Sequence, residues 1–314
     1  MVRLIVALLL IGASCFVSYN YVEHHEKGAM ESLYMHLMPA PLITGGHGEP
    51  SEFMLYLPLP ESMAAFANGT VVKELDGDKK DVSVAAFTNL QLFQVLSVLL
   101  IFVLLSGIPK HLRTGQGDVL TRFFAGFALW VRDDIVFPVM GKERGGQFLP
   151  YFMMVFFFIM FMNVLGLVPG SATATASIYV TAGLALTTLI AMIGCGMVAQ
   201  GPIAFWKNLV PHVPLAIWPL MFFVEVFGLM VKPIALTIRL FANMTGGHLV
   251  VLSFIGLIFT FAQLSPVVGY GSAPFAVGFA IFIMIIESFV ALLQAYIFTQ
   301  LSVLFVDASV HPEH

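Results

Sequence analysis

The chain has 314 residues, of which 59% are hydrophobic and only 10% charged, at a mean hydropathy of +0.94. That composition excludes an ordinary water-soluble domain and predicts an all-α polytopic membrane protein embedded in a lipid bilayer. The formal net charge of −4 hides an uneven distribution, and no nucleic-acid partner is expected.

Residues 1–19 begin Met-Val-Arg and run on as LIVALLLIGASCFVSY, the charged start and apolar run of a signal-like segment. Gly12-Ala13-Ser14 offers a small-residue cleavage region, but an uncleaved anchor or an extra helix is the expectation here. Residues 20–85 hold most of the acids, among them Glu23, Glu49, Glu74 and Asp81, with five prolines from Pro39 to Pro60. They read as an external acidic segment with little regular structure beyond a short hairpin at Asp76-Gly77-Asp78. The stretch 109–146 carries Lys110, Arg113, Arg122, Arg132, Lys142 and Arg144, which places it on the cytoplasmic or matrix side by the positive-inside rule. The acidic segment then lies on the opposite side.

Residues 86–310 read as one membrane domain, giving five to six membrane helices in all. Spans are expected over 86–108, 148–168 and 176–199, each long enough to cross. Residues 200–214 are broken by Pro202, Pro211 and Pro214 and carry Trp206 and Lys207, which suits a membrane interface. From 215 to 263 no charged loop turns the chain back. A helix of that length is roughly 70 Å long, against a hydrocarbon thickness of about 30 Å, so it is expected to tilt steeply. Ser265-Pro266 through Pro274 are expected to turn, and 275–306 to return as a second long helix. No inverted internal repeat is visible.

The few charges in this apolar half are informative. Arg239 at membrane depth costs at least about 2.5–3.5 kcal/mol and cannot lose its proton. Glu225, Lys232 and Arg239 are seven residues apart and share a helix face, with Asn243 near it. Glu287 and Gln294 share a face of the last helix. Ideal spacing puts His248 opposite Arg239, so the helix is able to border two aqueous cavities, with Gly246-Gly247 as a point of bending. Plainer readings stand beside this one. Arg239 pairs with Glu225 or Glu287 as structural glue; Glu225 and Lys232 form an interfacial pair; His248 is a satisfied core histidine. Asn163 hydrogen-bonds a neighbouring helix, and Asp307 is either a solvated residue or part of a channel. Cys15 and Cys195 lie in apolar segments without metal-ligand spacing. Asn68-Gly69-Thr70 is a weak sequon, and His24-His25, His311 and His314 are expected to be solvated. No P-loop pattern is present, so no nucleotide site and no cofactor is expected.

Three stretches resemble one family. Pro233-x-x-Leu236-x-x-Arg239-Leu240-x-x-Asn243-x-x-x-Gly247-His248 is similar to the a subunit of F-type ATP synthases. So are Asn163-x-x-Gly166-Leu167-x-Pro169-Gly170 and Glu287-x(6)-Gln294-Ala295-Tyr296-Ile297-Phe298. The resemblance covers about residues 86–310. It implies a non-catalytic stator subunit beside a rotating ring of c subunits, held by a peripheral stalk of b subunits within the whole ATP synthase complex. Two proton half-channels would meet the ring, with Arg239 between them. Glu287 and His248 would line the inlet, Asn163, Asn243 and Gln294 would hold its water and the arginine, and Glu225 and Asp307 would border the outlet. Many bacterial members have the acid at 248 and the histidine at 287; this chain has the two types exchanged. The alternatives are a secondary ion or solute transporter with a buried arginine site, and a subunit of a respiratory complex. The expected location is the bacterial plasma (inner) membrane, with the mitochondrial inner membrane as the alternative.

Overall fold

In a computed structural model, the structure describes residues 2–21, 71–76, 79–84, 89–168, 173–210, 214 and 217–310. The sequon, His24-His25, His311, His314 and Pro169-Gly170 lie outside the described residues. Lipid supplies no hydrogen-bond partners, so an apolar chain crossing it must close its backbone bonds internally. The described chain is accordingly helical: α1 (Val2–Tyr21), α2 (Asn89–Leu105), α3 (Ile108–Thr114), α4 (Val119–Trp130), α5 (Phe137–Gly166), α6 (Ile178–Gln200), α7 (Pro202–Asn208), α8 (Trp218–Leu264) and α9 (Pro266–Val310). A π-helical turn, Val131–Val136, joins α4 to α5, and a 3-10 turn, Ala174–Ala176, precedes α6. Five stretches are long and apolar enough to cross a membrane. Among the described residues, strands occur only as a hairpin in the acidic segment. There β1 (Val71–Asp76) pairs antiparallel with β2 (Lys79–Val84), Val71 opposite Val84 and Asp76 opposite Lys79.

One expectation is corrected. The turn expected over 265–274 is confined to Ser265. Pro266 opens α9, where a missing N–H costs nothing, and Pro274 lies inside the helix. The basic stretch 109–146, placed by its charge on one side of the membrane, is largely helical. In α4, Thr121, Phe124, Ala125 and Ala128 are buried at helical spacing, while Arg122 on the other side is exposed. Within α5 the path breaks at Gly141, with φ 74° and ψ 168°, a conformation that strains any residue with a Cβ.

The long helices α8 and α9, 47 and 45 residues, pack against each other as an antiparallel hairpin. Each is about 70 Å long at 1.5 Å per residue, so a bilayer accommodates it only obliquely. α6 supports both of them, α5 supports α9, and α2 backs α5. An aromatic cluster of Phe124, Phe127, Trp130, Phe156, Phe157 and Tyr296 fixes α4 and α5 against α9. α1 packs on α2, and its Arg3 Nη1 donates to Thr121 Oγ1 of α4 at 3.3 Å.

Side-chain hydroxyls join α6 to α9. Thr188 Oγ1 and Ser302 Oγ are 3.2 Å apart, and Ser309 Oγ donates to the Met192 carbonyl at 2.6 Å. Small residues let these helices approach. A Cβ on Gly196 would collide with Ser309 Oγ and come within 2.5 Å of the Phe205 ring, whereas one on Gly194 would meet open space. Gly196→Ala is therefore expected to destabilise the protein by about 1–3 kcal/mol, the usual cost of overpacking. Gly194→Ala should leave the detergent-solubilised melting temperature unchanged or higher.

Candidate functional site

Three elements converge on Glu287. It is buried in α9, only 4% exposed, and neither carboxyl oxygen has a hydrogen-bond partner. Its Oε1 is 3.7 Å from Nε2 of His248 on α8. Gly247 makes this approach possible, since a Cβ there would lie 2.5 Å from the same Oε1 and 2.6 Å from Cδ. On the third side lies Thr173, just before the 3-10 turn. Its hydroxyl is 2.9 Å from His248 Nε2 and donates to the Gly166 carbonyl at 3.2 Å. Thr245 Oγ1, donating to the Ala176 carbonyl at 3.4 Å, seats the same turn on α8. His248 thus has a hydroxyl partner and a carboxyl neighbour at the same ring nitrogen.

Asn163 lies one helical turn from this group. It is fully buried in α5, and its Nδ2 donates to the carbonyl of Ala291, four residues after Glu287, at 3.1 Å. The hydrogen bond to a neighbouring helix that the sequence allowed for it is present. Asn163 Oδ1 has no partner. Gln294 is buried on the same face of α9 as Glu287.

A second polar region lies toward the opposite end of the hairpin. Here α6, α7, α8 and α9 surround a cavity of about 400 Å³, lined by Glu225, Lys232, Asp307, Gln200, Asn208 and Ser309 among others. Its wall is held by Gln200 Nε2, donating to the Ser309 carbonyl at 2.8 Å, and Asn208 Nδ2, donating to Gln200 Oε1 at 3.1 Å. Lys232 Nζ sits 5.3 Å from the centre of the Phe305 ring. Among the described residues no salt bridge joins it to Glu225; each residue faces the shared cavity.

Arg239 lies on α8 between the two regions. Glu225 is 14 residues before it and His248 nine after, or about 21 Å and 14 Å along the axis. Arg239 and Asn243, one turn on, are exposed on the outer surface of the hairpin. Among the described residues Arg239 makes no hydrogen bond or ion pair, so it is not glue for Glu225 or Glu287. Its surroundings on α8 are exposed apolar side chains, including Ile234 and Ile238.

Thr173, Gln200 and Asn208 were not singled out by sequence reasoning. Gln200 and Asn208 lie within a proline-broken segment that read only as interfacial. Thr173 lies in a run of small residues without periodicity.

The arrangement defines a class: a polytopic helical membrane protein with an acid–base pair and an acidic cavity at two levels of one helical hairpin. Comparison with known sequences narrows it. Residues 91–307 match the family described as ATP synthase A chain. The chain is 47% identical over 186 residues to ATP synthase subunit a of Myxococcus xanthus (strain DK1622), covering 59% of each chain. It is 41% identical over 215 residues to ATP synthase subunit a of Anaeromyxobacter dehalogenans (strain 2CP-C), covering 68% of this chain and 54% of that one. With ATP synthase subunit a 2 of Prosthecochloris aestuarii (strain DSM 271 / SK 413) it shares 36% identity over 237 residues, 74% of this chain and 71% of that one. The chain belongs to the ATP synthase A chain family, the a subunits of F-type ATP synthases. It spans a little over half the length of the first two of these relatives.

The fit between Gly247 and Glu287 is testable by a double-mutant cycle. Gly247→Ala should destabilise the protein by about 1–3 kcal/mol in the native background. With Glu287→Ala that penalty should vanish, because the atoms met are those of the Glu287 side chain. Equal penalties in both backgrounds, measured by denaturation in detergent, would contradict the contact.

Proposed function

We infer that the chain is the stator subunit of the membrane sector of a rotary ATP synthase, coupling proton flow to rotation of a c-ring and so to ATP synthesis. The observation that carries this reading is Arg239: a permanent charge, exposed and unpartnered among the described residues, between two separate polar regions of one hairpin. Membrane-resident charges are expensive and normally pair within their own protein or line a water path. An outward-facing arginine implies that its partner belongs to another chain. A membrane carboxylate on a ring of c subunits has the required chemistry.

In this mechanism His248 and Glu287 form the inlet. Both exchange protons, and Asn163 holds the α9 backbone one turn away. A proton passed through them neutralises a ring carboxylate, which is then able to face lipid. Each ring carboxylate later reaches the cavity of Glu225 and Asp307, releases its proton there and is drawn to Arg239. The guanidinium keeps its charge throughout, so it holds ionised ring sites and blocks direct proton passage between the two regions. Asn243 and Gln294 help to hold inlet water and the arginine. One charge crossing about 100 mV yields roughly 2.3 kcal/mol. Several steps must therefore be summed for each ATP, and rotation of a partner ring does so. The chain is non-catalytic and requires the b-subunit stalk to resist torque.

The domain reading follows the same logic. Residues 1–19 serve as an anchor, 20–85 as an external segment and 86–310 as the proton-conducting domain, in a bacterial plasma membrane. The bacterial relatives support that location. A secondary transporter would require a substrate site at the arginine, and no repeat symmetry supports one.

The test is ATP-driven acidification of vesicles carrying the whole complex. Arg239→Ala should abolish acidification while the complex stays assembled, and a potassium diffusion potential should then drive a passive proton leak. Normal pumping by Arg239→Ala would overturn the reading.

A further inference from the structure

The geometry points to Thr173 as the residue that fixes the tautomer of His248, and so the direction in which this histidine hands on protons. The inference rests on the inlet role given to His248 and Glu287 above, but its first observable does not. The Thr173 hydroxyl carries one hydrogen. Its Oγ1 is 3.2 Å from the Gly166 carbonyl, to which it donates, and 2.9 Å from His248 Nε2. A carbonyl only accepts, so both contacts are hydrogen bonds at once only when that hydrogen goes to Gly166. Toward the imidazole the hydroxyl oxygen must accept, and Nε2 must carry the proton. Nδ1 is left with its lone pair free to take up another.

The packing holds this arrangement. Thr173 is only 3% exposed. Gly166 admits its side chain so closely that a Cβ there would meet Thr173 Cγ2 at 2.8 Å. The seat of the adjoining 3-10 turn on α8, through Thr245, keeps Oγ1 facing the ring. A hydrogen bond to the second nitrogen is the ordinary way in which a protein selects a histidine tautomer.

Glu287 Oε1 faces the same nitrogen from 3.7 Å. The Nε2 proton therefore has two neighbours: Thr173, within hydrogen-bond distance, and Glu287, just beyond it. An incoming proton binds Nδ1 and makes the imidazolium. The N–H bond at Nε2 then breaks, and its proton forms the O–H bond of the Glu287 carboxyl. The histidine is left neutral with its proton on Nδ1. It resets by tautomer exchange through water of the inlet: the Nδ1 proton leaves to water, water returns one proton to Nε2, and the bond to Thr173 favours the Nε2–H form. Without it the Nδ1–H form persists, blocking uptake at Nδ1. Thr173 is thus a positioning residue acting through His248.

The test has two readouts on the whole complex. ¹⁵N spectra of histidine-labelled enzyme, with the His248 signals assigned by their loss in H248Q, should show Nε2–H in the native protein. A substantial Nδ1–H population should appear in Thr173→Val, and Thr173→Ser should restore the native signal. ATP-driven acidification should fall about threefold to tenfold in Thr173→Val, the span of one ordinary hydrogen bond, and recover in Thr173→Ser. An unchanged tautomer in Thr173→Val would overturn the inference, as would a pumping defect that serine does not rescue. A native complex that shows the Nε2–H tautomer yet fails to acidify vesicles would instead refute the inlet role.

Discussion

A permanent charge in an apolar helix is the constraint on which the rest of the structure depends. Arg239 cannot be neutralised, and lipid offers it nothing. Among the described residues no acid pairs with it; the guanidinium stands on the outer face of α8, toward whatever docks there. The hairpin around it is correspondingly long. Glu225 and His248 are well separated along one helix on either side of Arg239, and α9 returns alongside to supply a carboxylate at each level, Asp307 and Glu287. A perpendicular span of about 20 residues would not hold both regions with the arginine between them.

The two polar regions are built differently. Around Glu287 the packing is tight: Gly247 makes room for the carboxyl, Thr173 engages the histidine and Asn163 pins the α9 backbone. Such packing suits the proposed transfer of single protons between fixed groups. Around Glu225 and Asp307 the helices separate to leave a cavity of about 400 Å³, edged by amides and a lysine. That volume has room for several waters at about 30 Å³ each. The contrast fits a narrow inlet relay and a wider outlet.

Much of this was legible in the sequence because membrane helices carry so few polar residues. The long hairpin followed from the absence of a charged break after Trp218, and the shared faces of Glu225, Lys232 and Arg239 followed from heptad spacing. The turn was misplaced because Pro274 reads as a helix breaker, whereas membrane helices tolerate internal proline. The α4 helix was overlooked because Arg122 and Arg132 drew attention to charge rather than to Thr121, Phe124, Ala125 and Ala128. The partners across the hairpin could have been found by counting. His248 and Glu287 each lie about 20 residues from the turn at Ser265, and Glu225 and Asp307 each about 40, which levels both pairs in an antiparallel hairpin. Thr173 could not have been found this way, since its place depends on how a short turn seats between α5 and α8. The outward orientation of Arg239 also depended on which side the supporting helices occupy.

The central claim is that two polar regions flank Arg239 and open to opposite sides of the membrane. Single cysteines test it most directly, introduced as Asn208→Cys and Thr245→Cys after Cys15→Ser and Cys195→Ala, and challenged with a membrane-impermeant thiol reagent in oriented vesicles carrying the complex. The account predicts that Asn208→Cys reacts only from the side of the basic segment around Lys110 and Arg113, and Thr245→Cys only from the other. Reaction of both from the same side would contradict it.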